Sequence, residues 1–147
     1  MSTSNTLETG ILKLLFQNVN FAGLGDFGGL SGSQTASGSV FLTLHTSDPG
    51  EAGDQTTNEA NYTGYARLPI NRNTSEWSES GGVITNINDQ LFAPCTAGSN
   101  TITHFGIGTA LTGAGKLLYS NTLTNQLTVS TGVTPRVLAS ALTVTQT

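Results

Sequence analysis

Charge is scarce in this sequence of 147 residues: Asp, Glu, Lys and Arg together make up 10%, against roughly 25% in ordinary soluble proteins. Basic residues are scarcer still, 5 against 9 acidic, for a net charge of −4. The five cations, Lys13, Arg67, Arg72, Lys116 and Arg136, are scattered. A nucleic-acid groove needs clustered cations to displace counterions from phosphate, so no nucleic-acid partner is expected. A single cysteine, Cys95, leaves no intrachain disulfide framework and reads as a small buried apolar residue. Histidine is nearly absent too. His45 and His104 each sit in an apolar β run without the clustered Cys/His spacing of a zinc site, and are read as structural. No G-x-S-x-G elbow occurs, so no catalytic residue and no cofactor is expected. No apolar run approaches the roughly 18–20 residues of a membrane-spanning helix, which leaves the membrane an unexpected partner. The opening stretch has neither the basic region nor the small-residue cleavage site of a secretory signal. Without one, the sequon Asn73-Thr74-Ser75 reads as a chance match.

What the chain does have is a short helix, a glycine-rich stretch and many β runs. Leu7, Ile11, Leu14 and Leu15 recur at helical spacing, with Ser4 or Thr6 as N-cap and Glu8 near the positive end, which predicts a helix over about residues 5–18. Leu12 and Phe16 widen its apolar surface, so it must pack on its own β domain or on another subunit. From Ala22 to Ser39 the chain reads AGLGDFGGLSGSQTASGS. Such a composition loses much backbone entropy on ordering and has few side chains to recover it, so it is expected to act as a tether. Gly23, Gly25 and Gly28 fit G-x-G-x-x-G, but no strand precedes them and no helix follows, which excludes a dinucleotide fingerprint.

From Val40 onward VFLTLHT, GYARLPIN, GVITNINDQLFA, NTITHFGIG, KLLYSNTL, NQLTVST and PRVLASALTVTQ follow one another, separated by Gly, Asn, Asp and Pro. This succession predicts a mainly β chain: a single antiparallel β-sandwich or barrel domain at residues 40–147, preceded by an N-terminal helix and arm at residues 1–39. Alternation places Leu142 and Val144 on one face and Thr143 and Thr145 on the other. Pro69 and Pro135 are expected at a strand edge or entry. In TITHFGIGTA, Phe105 and Ile107 are expected to face the core.

The longest polar interruption, His45 to Arg67, joins two apolar runs and should be displayed, since a loop of that length is commonly either functional or disordered. It carries Asp48, Glu51, Asp54 and Glu59. Asp48, Glu51 and Asp54 could offer hard oxygen ligands to calcium, but match no EF-hand or RTX spacing. The preferred reading is solvated acids that oppose edge-to-edge association, with no metal bound. Trp77 reads as either a buried anchor or an interface aromatic, and its polar neighbours slightly favour the interface. The candidate interaction residues are therefore Leu7, Ile11, Leu14 and Leu15 on the helix, Trp77, and Asp48, Glu51 and Asp54 on the loop.

Leu44 to Thr56, Gly64 to Arg67, Trp77, Thr101 to Ala110, Gly115 to Tyr119, Val129 to Arg136 and Leu142 to Thr145 together form a pattern that resembles a family of small tailed-bacteriophage virion structural proteins, of head-decoration (cement) or tail-fibre type. The resemblance implies a non-enzymatic building block of the virion. Its partners would be the major capsid protein or other virion proteins, and several copies would assemble as a homo-oligomer. Capsid decoration is the leading expectation, because one compact domain suits repeated positions on a shell. A tail-fibre, collar or baseplate attachment protein is the alternative, and the displayed loop also suits a module that binds host glycans.

Overall fold

The structure, a computed structural model, describes residues 2–23 and 38–146. The glycine-rich stretch therefore falls largely outside the described residues. The chain is mainly β, and the described residues form one N-terminal helix, α1 (Asn5–Gln17), and nine strands. These are β1 (Ser39–His45), β2 (Leu68–Asn71), β3 (Trp77–Ser80), β4 (Val83–Asn86), β5 (Gln90–Leu91), β6 (Ser99–Gly108), β7 (Leu117–Ser130), β8 (Arg136–Val137) and β9 (Thr143–Thr145). They form sheets ordered β2-β1-β6-β7, β3-β4-β9 and β5-β8, none of which closes into a barrel. The pairs β1–β6, β6–β7, β3–β4 and β4–β9 are all antiparallel. Two compact units result: one of Met1–Ser39, Asn71–Asp89 and Val137–Thr147, the other of Val40–Ile70 and Gln90–Arg136.

In the first unit α1 begins at Ser4, whose hydroxyl accepts from the Leu7 amide, and ends at Asn18 in the left-handed conformation. Both ends are thus capped by residues suited to them. Leu12 and Phe16 are fully buried, while Leu7, Ile11, Leu14 and Leu15 flank them half-buried. The inward stripe is therefore centred on Leu12 and Phe16, one step round from the spacing that first marked the helix. Phe16 meets Trp77 edge-on, ring centroids 4.7 Å apart, and the Trp77 indole N–H donates to the Asn71 carbonyl at 3.1 Å. Trp77 is fully buried, which corrects its expected interface position: its polar neighbours along β3 point the other way while the indole fills the space under the helix. Polar ties fix the helix in place. Arg72 donates to the Leu15 and Leu14 carbonyls at 2.6 and 2.5 Å, satisfying groups that a helix C-terminus leaves open. Glu79 accepts from the Thr9 hydroxyl at 3.0 Å and pairs with Lys13 at 3.4 Å.

Strand β3 escapes the alternation signal because WSES is polar, yet its turn is legible. Gly81 and Gly82 both have positive φ, 61° and 79°, and join β3 to β4 in the two-residue hairpin that such a pair favours. On β9 and the residue before it, Leu142 and Val144 are buried and Thr143 and Thr145 exposed, as the alternation predicts.

In the second unit β1 and β6 are central. Leu42 pairs with Ile107 and Leu44 with Phe105, so these four share the core face. Ile107 is fully buried but Phe105 only half-buried. Ile102, of opposite parity, is also fully buried. The pairing also changes register here: Ile102 pairs with Leu127 but His104 with Thr122, so residues 123–126 of β7 stand opposite Thr103 alone. KLLYSNTL and NQLTVST consequently form one long irregular strand instead of two. Pro69 lies on the edge strand β2, and Pro135 immediately precedes β8. Phe105→Ala is expected to cost about 1–2 kcal/mol in urea unfolding, short of the roughly 3–5 kcal/mol of a fully buried aromatic. A loss in the larger range would show that Phe105 belongs to the closed core.

Candidate interaction surface: a loop locked onto glycines

The chain leaves β1 at His45 and returns to β2 at Leu68 through an irregular segment whose acids work locally. Asp48 accepts from the Gly50 amide at 2.9 Å, an Asx turn completed by Pro49 and by Gly50 at φ 70°. Asp54 accepts from the Thr56 amide at 2.8 Å and the Thr56 hydroxyl at 2.6 Å. The Thr56 hydroxyl, followed by its amide, holds the Asp54 carboxyl below its ordinary pKa. Asp48 and Asp54 are thus turn-formers, and Glu51 is exposed on the tip between them. Among the described residues no three His, Cys, Asp or Glu side chains come together as a metal site would need.

Gln55 holds the segment in place. Its side chain is fully buried, its Oε1 accepts from the amides of Thr109 (3.0 Å) and Ala110 (2.9 Å), and its Nε2 donates to the Ala110 carbonyl at 3.1 Å. It lies flat on glycines. A Cβ at Gly108 would come within 2.1 Å of Gln55 Cδ, and one at Gly115 within 2.1 Å of its Oε1. A Cβ at Gly106 would meet Thr43 Oγ1 at 2.6 Å and His45 Nε2 at 2.9 Å. Gly108 and Gly115 are therefore clearance for the docked Gln55, and Gly106 for Thr43 and His45.

A second clamp closes the other end. Arg67 donates to both oxygens of Glu59, Nε to Oε1 at 2.7 Å and a terminal nitrogen to Oε2 at 2.8 Å, and also to the Ala110 carbonyl at 2.9 Å. This forked geometry is the strong form of an ion pair, and the Glu59 hydrogen bonds push the Arg67 pKa further up. Tyr65 donates to Glu59 at 2.9 Å and accepts from the Leu44 amide at 3.2 Å, while burial pushes its phenol pKa well up. In GYAR, Gly64 takes φ 101° and passes where a Cβ would lie 2.5 Å from the Pro94 carbonyl.

His45 is fully buried and serves the same dock. Its Nδ1 donates to the Thr57 carbonyl at 2.8 Å, which leaves Nε2 to accept from Thr43 Oγ1 at 2.8 Å. Burial lowers its pKa, partly offset by the Thr57 carbonyl. His104 lies between the hydroxyls of Thr103 and Thr122, at 2.8 and 3.1 Å. Cys95 is buried, its Sγ directed at the carbonyls of Ala97 and Gly98. The loop thus becomes a fixed rim with open depressions beside it, the two larger of which differ in lining. One, about 350 Å³, runs between Gly50–Gly53 and Leu117–Ser120; the other, about 410 Å³, lies over Arg67 and Glu59 beside exposed Leu111.

Gln55, Arg67, Gly106, Gly108 and Gly115 all fall within the stretches that carry the resemblance, and the comparison with family models agrees. The model described as Podophage GP4 fiber I protein gp80 matches residues 2–145. The chain belongs to that family. It is accordingly a bacteriophage virion structural protein and a component of the virion. No curated protein matches the chain. Of the candidate interaction residues, Asp48, Glu51 and Asp54 lie together on the rim, the four leucine and isoleucine positions flank the buried stripe of α1, and Trp77 lies in the core of the first unit. Sequence reasoning missed Gln55, Glu59 and Arg67 as the residues that fix the rim. The available signal was a Gln and an Arg in a charge-poor chain, each near a glycine-dense motif.

Proposed function

We propose that this family member is a tail-fibre component of its phage, a non-enzymatic unit present in several copies that links to other virion proteins and presents its loop rim outward. The single observation that carries the reading is the fiber family match, which spans residues 2–145 and so includes helix, strands and loop. It supports the tail-fibre alternative over capsid decoration. The rim geometry supports a role in contact: the loop is held by buried hydrogen bonds and a forked ion pair, so its exposed tip is ordered before any partner arrives and loses little entropy on binding. Immunogold labelling of intact particles with antibody against the purified chain tests the placement. Label at the tail is the expected result, and label distributed over the head shell would return the protein to capsid decoration.

A further inference from the structure

Beside the loop tip lies a groove that the contacts of the fold leave open. Two depressions, about 350 and 210 Å³, share Gly50, Glu51 and Ser120 and so run together along the start of β7. Both walls stand before anything binds. The tip is held by the Asp48–Gly50 turn, by the Gly53 amide on the Gly50 carbonyl at 3.2 Å, and by the Asn58 side chain on the Asp48 carbonyl at 2.9 Å. In the facing wall, residues 119–122 of β7 pair one by one with residues 107–104 of β6. A preformed cleft of this size is what a small ligand requires.

The lining is two-sided. Toward one end Leu117, Leu118 and Tyr119 offer half-buried apolar surface, and toward the other Asp48, His104, Asn121 and Thr122 offer polar groups. Several of those groups are unused. Among the described residues Glu51 makes no hydrogen bond or ion pair and the Ser120 hydroxyl has no partner. Asn121 engages its Oδ1 with the Thr122 amide and keeps its Nδ2 hydrogens free, and Asp48 engages one carboxylate oxygen with the Gly50 amide. A saccharide has the matching split, an apolar face of ring C–H groups and a rim of hydroxyls that both donate and accept. Charge narrows the class. Asp48 and Glu51 line the groove with no Lys or Arg beside them, so a phosphate or carboxylate is repelled while an ammonium group is attracted. We propose that this groove binds a saccharide bearing a free amine, with its apolar face toward Leu117–Tyr119 and its ammonium group at Glu51.

This deepens the contact role proposed for the rim and rests on it, yet the two fail separately: labelling reads the location on the particle, and binding in solution reads the groove. Amide shifts of the isotope-labelled full chain are followed at mildly acidic pH during titration with glucosamine, N-acetylglucosamine and glucuronate. Glucosamine is expected to move the amides of residues 50–53 and 117–122 saturably. It should bind about two- to fivefold tighter than N-acetylglucosamine, the effect of one exposed ion pair. Glucuronate should move none of these amides. Glu51→Gln, a change at an exposed side chain, should remove the preference for the amine and leave N-acetylglucosamine binding unchanged. Absence of shifts with all three sugars, or saturable shifts confined to other residues, overturns the assignment. So does glucuronate bound as tightly as glucosamine, or an amine preference that survives Glu51→Gln.

Discussion

Trp77→Ala should lower the unfolding free energy by roughly 3–5 kcal/mol, the range for removing an aromatic from a closed core. The indole is fully buried, touches Phe16 edge-on and donates to the Asn71 carbonyl, so the substitution removes packing and leaves a buried carbonyl without that donor. The helix should respond with it. Phe16→Ala is expected to cost a similar amount, and the double variant less than the sum, because each substitution empties the same space. Urea unfolding followed by tryptophan fluorescence measures Phe16→Ala, and circular dichroism the two variants that lack Trp77. Removal of residues 1–39 is expected to be costlier still, since it strips Phe16 from Trp77, removes the buried Leu12 and frees Glu79 and Arg72 from their helix partners. A truncated chain with wild-type stability would mean that the helix is an accessory and not a core element of its unit.

Gly108→Ala is the second large effect. The new Cβ would lie 2.1 Å from Gln55 Cδ, so the buried amide must leave its place or the strand must move. Displacing Gln55 abandons the bonds to the Thr109 and Ala110 amides. Overpacking of about 1–3 kcal/mol, together with at least one part-buried donor left unmet at about 1–3 kcal/mol, gives an expected loss of about 2–6 kcal/mol. The diagnostic is its coupling to Gln55. In a Gln55→Ala background the clash is gone, so adding Gly108→Ala should cost under about 1 kcal/mol. Additive losses in the double-variant cycle would show that Gly108 is required for some other reason. Limited proteolysis within residues 46–66 should accelerate in Gly108→Ala well before global unfolding, because the loop is released first.

Much of this protein was determined by sequence alone. The helix follows from its spacing and its Ser4 cap, and the β-rich remainder from repeated short runs between turn residues. The alternation in LTVTQ placed Leu142 and Val144 inside, because a pleated strand with one wet face permits no other arrangement. The motif residues also pointed to the virion family that the match over residues 2–145 establishes. Tertiary structure decided the rest. Local spacing cannot say that Leu12 and Phe16 face inward ahead of their neighbours, because that depends on where Trp77 lies across the unit. Nor can it show the extra residues of β7 opposite Thr103, or that Ile102 and Ile107 are both buried despite their opposite parity while Phe105 stays half-open. Nor does local spacing show why Gly108 and Gly115 lack a side chain: Gln55 lies against both, and what a missing Cβ permits is settled by the side chain that comes to lie against it from 50 to 60 residues away.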